Sequence, residues 1–192
     1  MGVLPRRKPF FQREIRPERA LALGFLALIL LGAALLTLPV ATLARRSVGF
    51  FNALFTATSA VCVTGLVVVD TGTTFSAFGK TVIILLIQIG GLGFMAFATL
   101  VMVALGRRIS LRNRMLIRES MNTTNLTGLV RLTLWFCLLA LGIELLGAAL
   151  LCIRFIPLYG VQTGVLYSLF HAVSAFCNAG FDLLGRPDAP YI

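Results

Sequence analysis

Charge is scarce in this sequence, and acid is scarcer still. Only 12% of the residues are charged, with seven Asp and Glu against seventeen Lys and Arg, and there is a single histidine. A chain of 192 residues that is 58% hydrophobic and broken into long uncharged runs carries more apolar surface than one soluble core of that size absorbs, so it belongs in a membrane. The shortage of titratable groups also excludes most chemistry. Cys62, Cys137, Cys152 and Cys177 lie in apolar stretches with no CxxC spacing and no flanking His or carboxylate, so they do not form a metal site and are expected to be small buried residues. No Ser or Cys has a base nearby, and no His or carboxylate cluster has ligand spacing, which leaves an intramembrane enzyme without support.

In a soluble protein the basic excess would suggest nucleic acid. Here the basic residues gather at the ends of apolar runs, and that pattern reports topology. Arg6, Arg7, Lys8, Arg13, Arg16 and Arg19 precede the first run, and Arg107, Arg108, Arg112, Arg114 and Arg118 follow the second. Both clusters are expected on the cytoplasmic side with Arg131, leaving Arg45, Arg46, Lys80, Arg154 and Arg186 outside. The first run ends in TLPVATLARR without an A-x-A cleavage site, so a removable signal peptide is not expected.

Residues 20–42 are uncharged and about as long as the roughly 20 residues that cross a bilayer, predicting an outward helix with Pro39 near its end. A second run, from Phe75 to Gly106, predicts an inward helix. A basic loop over residues 107–127 allows an amphipathic cytoplasmic helix; its basic run is a positive-inside anchor or a docking surface for a regulatory ring. A third spanning helix is predicted from Leu129 to Ile156, ending at Pro157.

Two stretches stand out, LFTATSAVCVTG (Leu54 to Gly65) and LFHAVSAFCNAG (Leu169 to Gly180), which agree at Leu, Phe, Ala, Ser, Ala, Cys and Gly. Each follows an outward helix and is too short to cross, since a helix over residues 51–60 rises only about 15 Å against about 30 Å of hydrocarbon. Each must enter and turn back, which leaves backbone groups at membrane depth that only protein, water or an ion can satisfy. The negative end of each short helix points to the turn, favouring a cation, and a glycine there gives the backbone the freedom to aim successive carbonyls at one axis. The fold class is therefore all-α membrane, built of tandem helix, re-entrant pore loop and helix repeats. Residues 1–19 form a basic cytoplasmic N-terminus, 20–106 a first repeat, 107–127 a cytoplasmic loop and 128–192 a second, incomplete repeat.

SAVCVTGL with the following VVVDTGT, IQIGGLGFM at Ile87 to Met95, and HAVSAFCNAGFDLL together resemble the Trk/Ktr/HKT superfamily of potassium transporters, above all the membrane subunit of bacterial Ktr systems. The likeness runs from about Ala20 to the end of the chain. It implies potassium uptake through a pore whose selectivity filter maps to the carbonyls of Val63, Thr64, Gly65 and Leu66, and of Asn178, Ala179, Gly180 and Phe181. Family members with Ser at the first filter glycine tend to favour sodium, so Gly65 implies potassium. The resemblance further implies a multi-pass protein of the bacterial inner (plasma) membrane with a cytoplasmic N-terminus, a homodimer, a cytoplasmic nucleotide-binding regulatory subunit, possible sodium coupling, and no cofactor or metal beyond the transported ion. Such proteins join four units around one path. Two pore loops are present here, about one and a half repeats, so the sequence reads as truncated; the alternative function is a non-conducting membrane scaffold.

Several residues keep two readings. Asp70 and Asp182, just beyond the filters, either raise the cation concentration at the pore mouth or cap loops. Glu144, the one acid deep in a predicted span, is a proton or ion relay or a hydrogen-bonding residue at a helix interface. His171 is a packing and hydrogen-bonding residue or a pH sensor. The glycines of IQIGGLGFM are packing sites that set the second helix against its own pore loop, or a hinge.

Overall fold

A computed structural model describes residues 17–93, 96 and 129–185, and every regular element among them is a helix. Helix α1 (Pro17–Thr37) starts at a proline, whose fixed φ suits a first turn. It stops before the expected residue 42 because Leu38 precedes Pro39 and is pushed to an extended conformation (φ −63°, ψ 139°). A 3-10 turn, Pro39–Ala41, follows. Helices α2 (Phe50–Val61), α3 (Thr71–Thr74) and α4 (Ala77–Leu92) complete the first half. The expected run to Gly106 is interrupted at Gly93, which takes φ +82°. The second half holds α5 (Leu129–Tyr159) and α6 (Val161–Phe176).

Pro157 does not end α5. It lies inside the last turn, where it removes the one bond its N–H would have made to the Ile153 carbonyl, and the helix stops instead at Gly160 with φ +79°. The basic segment 107–127 and its arginines, the N-terminal cluster before residue 17, and Arg186 lie outside the described residues.

Among the described residues one helix is long and apolar enough to cross a bilayer, over Arg131–Tyr159. It is apolar all round, with Leu132, Trp135, Leu139 and Leu146 exposed, as a lipid-facing helix should be. Helices α2 and α6, of 12 and 16 residues, rise only about 18 and 24 Å.

Helices α1, α2 and α4 pack as one unit around Ala33, Leu36, Ala53, Ala57, Ile83 and Ile87. Helix α6 folds back along α5 across the single residue Gly160, and α4 also packs on α6, joining the two units. Apolar contact gains little between helices already in lipid, so close approach and interhelical hydrogen bonds must hold this arrangement. Small residues make the approach possible. A Cβ at Gly32 would strike the Leu86 side chain at 2.6 Å, and one at Gly164 would meet the Ile156 backbone at 2.7 Å.

The end of α1 is bound to the start of α4. Ser76 N–H donates to the Ala41 carbonyl (2.9 Å), Leu43 N–H to Thr74 (3.0 Å), and Ser76 Oγ to Val40 (2.7 Å), while the same hydroxyl caps α4 by accepting from Gly79 N–H (3.3 Å). Replacing Ser76 by Ala removes both the cap and the cross-link, and should cost about 1 kcal/mol. The expected result is a lower thermal unfolding midpoint in detergent, with Ser76→Ala behaving as a stability variant.

Candidate functional site

Helices α2 and α6 end in the same turn. In the first, Val63 N–H donates to Ala60 (3.3 Å) and Thr64 N–H to Ser59 (3.0 Å); in the second, Asn178 N–H donates to Ala175 (3.0 Å) and Ala179 N–H to Ser174 (2.7 Å). These paired bonds, one spanning six residues around one spanning four, are a Schellman motif, which requires the donor of the shorter bond to be left-handed. Val63 and Asn178 fill that position with φ of +56° and +57°. Two residues further on Gly65 and Gly180 are again at positive φ, +72° and +74°. Asn tolerates the left-handed region, whereas a β-branched Val there is strained by about 1–2 kcal/mol.

The glycines bring the two turns into contact. A Cβ at Gly65 would run into the Ala179 carbonyl oxygen and lie 3.2 Å from Gly180 Cα, and one at Gly180 would lie 3.6 Å from Gly65 Cα. Glycine is thus required at 65 twice, for its φ and for the space. Of the other predicted filter residues, Val63 is half-buried and Ala179 buried, while Thr64, Leu66, Asn178 and Gly180 are exposed. Phe181 is buried, and its carbonyl accepts from Ser174 Oγ at 2.6 Å, which holds that oxygen toward α6. The matching Ser59 hydroxyl instead accepts from Thr64 Oγ1 at 3.0 Å. Ser59 and Ser174 are the serine shared by the two repeated stretches, yet sequence offered no partner for either.

The acids beyond the turns differ in role. Asp70 Oδ1 accepts from Thr73 N–H and Thr73 Oγ1, both at 2.6 Å, capping α3, and its carboxylate fills the space beside Gly185. Asp182 is exposed and accepts from Leu184 N–H at 2.9 Å. His171 Nε2 accepts from Leu183 N–H (3.3 Å), which makes Nδ1 the donor to the Tyr167 carbonyl (2.7 Å), and its ring sits edge-on to Phe155 at 5.3 Å. The imidazole therefore ties the segment after the second turn to α6, the packing and hydrogen-bonding role expected of it.

Behind the turns, α4 supplies the support. The Val61 peptide rests on Gly90 and the Cys177 side chain on Gly91, so these two glycines pack against the ends of both short helices. Lys80, only 7% exposed, holds its ammonium 5.5 Å from the centre of the Tyr167 ring, a cation–π contact between α4 and α6. Sequence reasoning placed Lys80 among the outer basic residues and missed this burial, since nothing local marks Tyr167 as its partner. The cysteines are not uniformly buried as expected. Cys137 is buried and Cys152 and Cys177 are part-buried, but Cys62 is exposed because it caps α2 beyond the last packed turn.

Half-length helices closed by matching glycine turns, set in an apolar helical scaffold, define an all-α membrane protein of transporter architecture. The chain belongs to the TrkH family of cation transport proteins, whose pattern matches residues 18–188. It is 51% identical over 167 residues to the Ktr system potassium uptake protein B of Bacillus subtilis (strain 168), covering 87% of this chain and 37% of that protein. It is 43% identical over 174 residues to the potassium/sodium uptake protein NtpJ of Enterococcus hirae, covering 91% and 39%. With the Ktr system potassium uptake protein B of Vibrio alginolyticus the identity is 45% over 165 residues, covering 86% and 36%. The chain thus spans less than two fifths of the length of these curated relatives.

The two turns differ in a way that can be measured. Val63→Asn copies the second turn into the first and should stabilise the protein by about 1 kcal/mol. Val63→Ile keeps the β-branched strain and should give no gain. Thermal midpoints of the two variants in detergent distinguish them, and equal midpoints would contradict the left-handed assignment of Val63.

Proposed function

We propose that this chain forms part of the ion path of a potassium uptake protein, with the turns at Val63–Leu66 and Asn178–Phe181 contributing backbone carbonyls to its selectivity filter. The observation that carries this reading is the pair of matching turns in contact at Gly65 and Gly180. Carbonyl oxygens released at such turns can replace a potassium ion's hydration shell, while their number and field leave the ion weakly enough bound to move on. The names of the relatives, potassium and potassium/sodium uptake proteins, favour the same cargo.

In this reading residues 20–106 are one helix, pore loop and helix repeat, 107–127 a cytoplasmic loop, and 128–192 the start of a second repeat. The N-terminus is cytoplasmic, α1 and α5 run outward and α4 inward, in a bacterial plasma membrane. Asp182, exposed beside the second turn, draws cations to the mouth. Asp70 contributes mainly as the cap of α3. Phe181 meets an ion only with the lone pair that Ser174 leaves free. A second copy of the chain, a cytoplasmic nucleotide-binding regulatory subunit and sodium coupling complete the proposal; the relatives' designation as members of a Ktr system favours a partner protein. Transport needs no bond-breaking chemistry and no cofactor.

The test is growth at low potassium, with rubidium and sodium uptake, in a bacterial strain lacking its own potassium transporters. Joined to the remaining length of a curated relative, the chain should restore growth, and in that joined protein Gly65→Ser, which forces a side chain against the Ala179 carbonyl, should lower potassium preference over sodium by about tenfold, equal to about 1.4 kcal/mol. Unchanged preference would remove Gly65 from the filter, and no rescue would remove potassium as cargo.

A further inference from the structure

Glu144 lies in the middle of α5 and is 2% exposed. Both of its carboxylate oxygens accept from one side-chain amide, Gln88 Nε2 on α4, at 2.9 and 3.0 Å. A buried acid inside a membrane helix costs more than one interhelical hydrogen bond returns, so the pair is hard to explain as a device for stability alone. Replacing both by apolar residues of similar volume removes the burial cost of the acid along with the bond, so overall stability changes little.

What a hydrogen-bonded pair adds is register, and its place in the fold makes register matter. Gln88 and Gly91 are three residues apart, neighbours on one face of α4. Gly91 takes the Cys177 side chain, whose Sγ and Cβ lie 2.5 and 2.7 Å from where a Cβ would be, and the adjoining Gly90 takes the Val61 peptide. On α5, Glu144 shares its face with Gly147, which approaches Ala172 of α6 (3.6 Å from an added Cβ). A slide or rotation of α4 by a fraction of a turn would lift both glycines off the short-helix ends they support.

We infer that Gln88 and Glu144 act as a positioning pair, fixing α4 against α5 so that Gly90 and Gly91 hold the ends of α2 and α6, and with them the two glycine turns, in place. The packing half of this inference stands on the structure alone. The consequence for ion selectivity rests on the proposed potassium path.

The test uses membranes from cells expressing the chain joined to the remaining length of a curated relative, and two double variants within the chain. Gln88→Leu with Glu144→Leu keeps the bulk and loses the register. Gln88→Glu with Glu144→Gln exchanges the partners and keeps the bond. Maleimide labelling, located by peptide mass spectrometry, reads whether Gly91 still shields Cys177, with the exposed Cys62 as internal reference. The apolar pair should raise Cys177 labelling relative to Cys62 by about fivefold. It should also lower potassium over sodium preference by about tenfold, without lowering the thermal midpoint. The exchanged pair should stay within about twofold of the starting protein in both readouts. If the apolar pair does not accumulate, Gln88→Met alone carries the same labelling and selectivity expectations, with a lower thermal midpoint because Glu144 loses its bond.

Cys177 labelling that stays within about twofold in the apolar pair overturns the inference, as does an exchanged pair that behaves like the apolar one. Selectivity unchanged in a conducting protein whose Cys177 has become reactive overturns the claim that the pair positions the filter. Cys177 exposed as expected in a protein that carries no potassium supports the positioning pair and overturns the transport reading instead.

Discussion

A backbone N–H or C=O in hydrocarbon has no water to turn to, and each one left unpaired costs several kcal/mol. Helices α2 and α6 are shorter than the roughly 30 Å of a bilayer's hydrocarbon, and in the proposed ion path the peptide groups after Val61 and Phe176 need partners that a full-length helix would have supplied itself. The structure answers with local closure, as both helices are sealed by the same pair of turn bonds. The hydroxyls of Ser59 and Ser174 then engage the segment beyond, at Thr64 Oγ1 and at the Phe181 carbonyl. Closure of that kind demands positive φ at Val63 and Asn178, and the chain turns again at positive φ at Gly65 and Gly180.

Because the turns are short and in contact, their geometry is inherited from what stands behind them. Helix α4 touches α1, α2 and α6 and carries polar links within its own half and across to the other. Ser76 fastens its start to the end of α1, Lys80 lies over Tyr167, Gln88 reaches Glu144, and Gly90 and Gly91 receive the two short-helix ends. The second turn has an additional tether in His171, which accepts from Leu183 N–H. Strain is unequal between the turns, with Val63 in a conformation that Asn178 occupies at little cost.

Much of this architecture was legible in residues. The uncharged runs announced helices in a membrane, the repeated LF…A.SA..C..G pattern announced two equivalent half-length segments, and IQIGGLGFM announced the close approach that Gly90 and Gly91 make, while its Gly93 meets nothing within 4 Å. The boundaries that shifted did so for local reasons that propensity alone does not weigh: Leu38 before a proline, Gly93 at positive φ, and Gly160 at positive φ beyond Pro157. Glu144 announced itself by its cost in a span. Its partner did not, because Gln88 reads as one polar residue in an apolar run until the fold brings α4 beside α5.

Hydrophobic run length and the small-residue repeat are written along the chain, so sequence by itself determined that this is a helical membrane protein with a pair of half-length helices turning at glycines. Which groups meet was decided by tertiary structure alone: Gly65 against Ala179 and Gly180, Gly91 against Cys177, Lys80 against Tyr167, Gln88 against Glu144. The physical reason is range. Hydropathy and backbone preference act over a few neighbouring residues, whereas a hydrogen bond or a steric limit between residues far apart in the chain exists only once two helices are held at one register and one distance.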